Sequence, residues 1–275
     1  MASPTLSRDS FAEGTGPKLE SRTPPEGNAF PLTPPASSKA TSEFNVDEWI
    51  QTLEGYRYPS TSCPSTTWIR VPSTHYLLAM RELERRSSLS QVIEDKVRLD
   101  YDPETELITI RMPAPVHDVF STSVANDIYK QLQDIAALPG KDAAFAGQII
   151  NGGSSRILLE KTGEGPTAFP IQRHPDAQFQ HRKAAFPGVV LEVSYSQDGK
   201  NLKKLAWDYI QHSNGDIKAV IGLDINHDAK KPSTVSLWRP EYTRDKGEDI
   251  DTLGVRTEIA AQAFRSPNLD VRRIN

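Results

Sequence analysis

Cysteine is nearly missing: Cys63 is the only one in 275 residues. An internal disulfide is therefore excluded, and so is a zinc site built from thiolates. No apolar run approaches the roughly 18 residues that a membrane-spanning helix needs. The opening M-A-S-P-T-L-S-R-D-S lacks the apolar centre of a secretory leader. The expected location is cytoplasm or nucleus, with no membrane partner. An excess of positive charge is missing too. Lys and Arg number 32 against 36 Asp and Glu, for a net charge of −4. A chain acidic overall is not a general polyanion binder, although a local basic patch stays open. Large apolar residues are scarce in residues 1–42, where Pro, Ser, Thr and Gly dominate and Phe11 and Phe30 are the only aromatics. Such a segment cannot bury enough surface to offset its ordering entropy, so it is expected to be a disordered tail. Its Ser3-Pro4, Thr23-Pro24 and Thr33-Pro34 pairs fit proline-directed kinases, or chance in a tail of this composition.

Beyond the tail the patterning is that of an α/β protein. Val46, Trp49, Ile50 and Leu53 share one helical face with Asn45 as N-cap. Ser73 to Arg86 reads as a second helix. Val92–Leu99 and Leu107–Met112 read as a hairpin around D-Y-D-P-E-T-E. Pro115 to Leu138 carries the longest helical pattern, with Phe120, Val124, Ile128, Leu132 and Ile135 on one face and Pro139-Gly140 as its stop. His117 and Gln131 share that inward face, and Asp127 lies at its margin. Ala144 to Glu160 should supply a first core strand or a hairpin. Ile217–Ile225 and Val235–Trp238 are strands, the latter ended by Arg239-Pro240, and the alternation at Val255, Thr257, Ile259 and Ala261 favours a last strand.

The densest chemistry lies between Arg173 and His212. Two short strands, Ala177–Gln180 and Gly188–Tyr195, precede a helix over Asn201–Ser213. Val189 to Leu191 is apolar on both faces, which predicts a central strand covered on both sides. Glu192 sits inside this apolar strand, and Asp176 opens the one before. A buried unpaired carboxylate is costly, so Glu192 needs a partner: an Arg or Lys, solvent at a sheet edge, or a metal ion. Adjacent strands lie about 4.8 Å apart, so Asp176 and Glu192 can converge on one divalent cation.

The strings H-P-D-A-Q-F, P-G-V-V-L-E-V-S-Y-S-Q and A-W-D-Y-I resemble the PD-(D/E)XK nuclease superfamily, and within it a group of uncharacterised fungal proteins with a restriction-endonuclease-like core. The resemblance covers roughly residues 113 to 240. It implies a mixed sheet flanked by helices, with an N-terminal α/β extension. The corresponding division of the chain is a tail over 1–42, helices and a hairpin over 43–112, a nuclease-like core over 113–265 and a C-terminal tail over 266–275. It implies that Asp176 and Glu192 bind Mg²⁺, or Mn²⁺, and that a lysine assists. The third motif position here is Ser194, not Lys, so the resemblance moves the lysine to the following helix. There Lys203 lies at the margin of the stripe formed by Leu202, Leu205, Ala206 and Tyr209, whereas Lys204 points nearly opposite. Gln197 matches the family's S-Q pair. His117 is expected to lend the site a polar group from the first core helix, or else to be a hydrogen-bonded histidine at a helix start.

The implied activity is Mg²⁺-dependent hydrolysis of phosphodiesters in DNA or RNA, with Asp176, Glu192, Lys203, Gln197 and His117 in the site. Arg173, Arg182, Lys183 and Lys204 are the candidate nucleic-acid contacts, a thin footprint that a solvated rim also explains. The competing expectation is a nuclease-like fold without chemistry, working on a protein partner, a nucleic acid or a second copy of itself. Ser194 and the acidic balance favour it, and fold alone does not decide between the two.

Overall fold

The computed structural model describes residues 24–26, 44–57, 66–162, 169–195, 200–226, 228, 231–244 and 251–265. Among these the chain is a mixed α/β protein with six helices and two sheets, of five and six strands. The five-stranded sheet is ordered β1-β3-β2-β6-β5, from β1 (Thr66–Arg70), β2 (Arg98–Asp102), β3 (Leu107–Arg111), β5 (Ile157–Thr162) and β6 (Phe169–Arg173). The six-stranded sheet is ordered β11-β10-β9-β8-β7-β4, from β4 (Ile149–Asn151), β7 (Ala177–His181), β8 (Val189–Tyr195), β9 (Ala219–Ile225), β10 (Ser233–Thr243) and β11 (Thr252–Arg265). Strands β8 and β9 run parallel, and the remaining pairs run antiparallel.

Three cores hold these layers. The N-terminal helices α1 (Val46–Gly55), α2 (Ser73–Glu84) and α3 (Ser87–Lys96) bury Trp49, Leu53, Leu83 and Ile93 against Leu99, Tyr101, Ile108 and Ile110 of the five-stranded sheet. Asn45 caps α1 as expected, its Oδ1 accepting from the Asp47 and Glu48 amides. On the six-stranded sheet, Leu191, Val193 and Tyr195 of β8 pack with Phe120, Val124 and Ile128 of α4 (Pro115–Ala136). Val190 enters the third core with Leu205, Ala206, Tyr209 and Ile210 of α6 (Leu202–Gln211). Ile157, Leu159 and Ile171 of the other sheet close the same cluster. Strand β8 is thus covered on both faces, as its unbroken apolar run requires.

Several expectations change. Val92 to Lys96 ends a helix, α3, and is not a strand, because Leu89 and Ile93 at i,i+4 both reach the core. Thr66–Arg70, between the first two helices, is a strand that the sequence pattern did not announce. Residues 144–160 form no hairpin: a short helix α5 (Lys141–Ala146) comes first, and β4 and β5 enter different sheets. Strand β10 runs through Pro240, which the sequence suggested as its end. It pairs with β9 only over Thr234–Trp238, so beyond that one edge is open and the missing N–H breaks no ladder there. Gln131 and Asp127 on α4 are exposed. Strands β5 and β6 pair with each other, and β6 pairs with β2, so the five-stranded sheet joins residues on both sides of the expected boundary at 112/113. Most of the Pro/Ser/Thr-rich tail and all of residues 266–275 lie outside the described residues. One described piece of the tail touches the core: the Glu26 carbonyl accepts from Asn201 Nδ2 at 3.3 Å.

Candidate functional site

The chain changes sheets at His174-Pro175-Asp176. Strand β6 ends at Arg173 in the five-stranded sheet, and β7 begins at Ala177 in the six-stranded one. This crossing is braced by charge. The Asp100 carboxylate accepts the His174 amide at 2.9 Å, and Arg111 donates to Asp100 at 2.7 Å and to the His174 carbonyl at 3.0 Å. Immediately beyond, the Asp176 amide donates to Leu191 O at 3.1 Å and its Oδ2 accepts the Val193 amide at 2.7 Å. Asp176 is therefore locked to β8 on either side of Glu192.

The two acids meet, as their strand positions predicted. The group that joins them is Lys200. Its ammonium lies 2.7 Å from Asp176 Oδ2, 2.8 Å from Glu192 Oε2 and 2.9 Å from the Val193 carbonyl oxygen. The two carboxylate oxygens are thus no further apart than the sum of the first two distances. The second oxygen of Glu192 accepts the Tyr209 hydroxyl at 2.6 Å. His117, from the first turn of α4, brings Nε2 to 3.2 Å from Val193 O and 3.5 Å from Asp176 Oδ2. A carbonyl only accepts, so Nε2 carries the hydrogen. All these side chains are buried: Asp176, Glu192 and Lys200 are 0%, 1% and 5% exposed.

Burial and charge push the two carboxyls in opposite directions. Burial raises Asp176, but the Lys200 ammonium, the His117 hydrogen bond and Arg111 together hold it well below the usual carboxylate range. Burial also raises Glu192, the Asp176 charge adds to this, and Lys200 and Arg111 offset only part, so its carboxyl stays above the ordinary value. Burial and the adjoining Glu192 charge likewise drive the Tyr209 hydroxyl well above its usual range, so it remains a donor.

Among the described residues no three His, Cys, Asp or Glu side chains form a ready-made metal cluster. The donor set nonetheless includes a main-chain oxygen. Asp176, Glu192 and Val193 O surround one point with three oxygens, and that point holds a cation, the ammonium. Two carboxylates and a carbonyl are ligands that hard divalent ions take. Asp176 Oδ1 is buried and has no hydrogen-bond partner, an unspent acceptor beside the site. By donor chemistry the residues fit Mg²⁺ or Mn²⁺.

The other sequence candidates separate. Lys203 is exposed on α6, one turn beyond the residue that reaches the acids. Lys204 is drawn to Asp208 at 2.6 Å and lies over the Trp207 ring. Arg173 is not a nucleic-acid contact: it is 2% exposed, bonded to Asp208 Oδ2 at 2.8 Å and to the Tyr101 carbonyl at 3.2 Å. Arg182 and Lys183 are exposed, but they follow the far end of β7, roughly 20 Å from Asp176 at about 3.3 Å per residue. Gln197 lies outside the described residues. Sequence reasoning missed Lys200, Tyr209 and the Val193 carbonyl. In the sequence Lys200 directly follows the Asp198-Gly199 pair and precedes the helix, and Tyr209 was absorbed into an apolar stripe.

No family model matches this chain, and no match was found among curated proteins or among solved structures. No helix among the described residues is long and apolar enough to cross a membrane.

Proposed function

We propose that this protein is a metal-dependent phosphodiesterase of nucleic acids with a restriction-endonuclease-like core, the parallel β8–β9 pair and its flanking helices α4 and α6 forming the centre of that core. The observation that carries the reading is the convergence of Asp176, Glu192 and the Val193 carbonyl on a single cation position. These three oxygens would hold the Mg²⁺. When bound, the ion supplies a Lewis acid for the phosphoryl oxygen and a water of lowered pKa. Asp176, held ionised, is the permanent anionic ligand. Tyr209 fixes one Glu192 oxygen and leaves the other directed at the cation position. His117 steadies Asp176 and Val193 O from the α4 side. Lys200 is the positive group available to developing charge on phosphate, the role that the missing motif lysine at Ser194 leaves open.

A second reading has a specific observation behind it. With a side chain 5% exposed and three acceptors satisfied, Lys200 neutralises the acids as a structural ion pair would. The protein would then be an inactive nuclease-like scaffold. One assay separates them: cleavage of single- and double-stranded DNA and RNA with Mg²⁺ or Mn²⁺, wild type beside Asp176→Ala and Glu192→Ala. The phosphodiesterase reading expects activity in the wild type and none in either variant. Absence of cleavage on every polymer sinks it in favour of the scaffold.

A further inference from the structure

The metal centre and the position of Lys200 compete. Its ammonium stands 2.7, 2.8 and 2.9 Å from the three oxygens that would bind the ion. An ion bound about 2.1 Å from the same oxygens takes nearly the same point in space. Two cations do not share it, because their repulsion in so buried a site is severe. We propose that Lys200 is a displaceable latch: its ammonium holds the cation position when no metal is bound, and a divalent ion enters only by driving it out. The inference rests on reading Asp176, Glu192 and Val193 O as a metal centre, and it adds how that centre is regulated.

Three features suit a latch. The main chain beside Lys200 is fixed, since Asn201 caps α6 through its Oδ1, which accepts the Lys204 amide at 3.0 Å. The side chain itself is a flexible four-carbon stem, able to swing about that fixed point. The surface is close: the residue as a whole is half-buried although its side chain is 5% exposed, so its main chain meets solvent, and Lys203, a few residues along, is exposed. While the latch is closed, the ammonium also covers the acids, whose side chains are 0% and 1% exposed. Release therefore opens the site and frees a cation at its rim. The ligand that gains from both is a phosphodiester, whose oxygens take the ammonium while the metal takes the carboxylates. Metal and phosphodiester then favour each other's binding by the same factor.

Two measurements test this, both without turnover. Calorimetric titration with Mn²⁺ is done on the wild type, Lys200→Met and Asp176→Asn. The latch predicts that Lys200→Met binds Mn²⁺ roughly 5- to 150-fold more tightly than the wild type, the usual span of coupling between two ligands of one protein. In the wild type alone, acetylation by an N-hydroxysuccinimide ester is followed residue by residue with mass spectrometry. Lys200 should react more slowly than exposed Lys203, and saturating Mn²⁺ should speed Lys200 and leave Lys203 unchanged. This second arm decides the matter if Lys200→Met does not fold. If Mn²⁺ binds the wild type and is lost in Asp176→Asn, yet neither Lys200→Met affinity nor Lys200 labelling changes, the latch is overturned and the metal centre stands. No binding of Mn²⁺ to wild type or Lys200→Met overturns both.

Discussion

Lys200→Met in the absence of metal removes the cation from a site with two buried carboxyls, at 0% and 1% side-chain exposure. Methionine keeps the length of the stem, so packing is largely retained and the lost charge is the perturbation. Breaking a buried pair by removing one partner leaves uncompensated charge and costs about 3 to 5 kcal/mol. Glu192, whose carboxyl already sits above its ordinary value, limits the damage by taking up a proton once the ammonium is gone, so the lower end, about 3 kcal/mol, is expected. For a chain of this size that corresponds to a fall in Tm of roughly 10 °C. Urea denaturation at neutral pH with a chelator present measures it. Adding Glu192→Gln should restore much of the loss, because the second charge no longer needs a partner. A single-variant cost below about 1 kcal/mol, in the range of an exposed ion pair, would refute the reasoning, since it would mean that water already reaches the two acids.

Other outcomes follow from neighbouring contacts. Tyr209→Phe removes the 2.6 Å hydrogen bond to Glu192 and should destabilise by about 1.5 to 3 kcal/mol, as for hydrogen bonds to charged groups; a chemical-denaturation curve superimposing on wild type would contradict this. Arg173→Met leaves the buried Asp208 carboxylate with Lys204 on its other oxygen and should cost about 1.5 to 3 kcal/mol in the same measurement, as for loss of a hydrogen bond to a charged group. If Arg173→Met instead kept full stability and lost nucleic-acid binding in a gel-shift assay, the structural assignment of Arg173 would be wrong. Burial holds the His174 imidazole at a pKa of about 4, below its ordinary 6.5, with Nδ1–H donating to Leu99 O. Between those two pH values the unfolded chain takes up a proton that the folded one refuses. Stability should therefore fall by up to about 3 kcal/mol as pH drops from 6.5 to 4. His174→Asn should flatten that limb, which melting curves against pH will show. Gly222 is the ladder partner of Glu192, and a methyl there would meet the Trp238 ring at 2.7 Å. Gly222→Ala should cost about 1 to 3 kcal/mol of overpacking, readable as a lowered Tm.

Much of this architecture was legible in the residues. The unbroken apolar run at Val189–Leu191 announced a strand covered on both faces, and β8 is one. The i,i+4 pattern of Phe120, Val124 and Ile128 gave α4, and it correctly turned His117 inward. An acid inside an apolar strand demanded a partner, and Glu192 has two. What stayed hidden depends on contacts remote in sequence. The split into two sheets is made by β6 pairing with β2, a long-range choice that periodicity does not encode. Arg173 looked like a phosphate contact because its partner Asp208 lies 35 residues on, across the core. The lysine was sought on the helix, where a wheel assigns faces. Lys200 precedes the helix, and no periodicity tells where a side chain on a connecting segment will point. The third oxygen of the site is a backbone atom, invisible to any reading of side-chain types.

The most direct test of the central claim is a crystal of the wild type soaked in Mn²⁺, with anomalous scattering recorded to locate the ion. The account predicts a peak bounded by Asp176, Glu192 and the Val193 carbonyl, with the Lys200 ammonium withdrawn from all three. Lys200 still seated between the acids, with no peak at that point under saturating Mn²⁺, would contradict it and leave a structural ion pair where a metal centre is proposed.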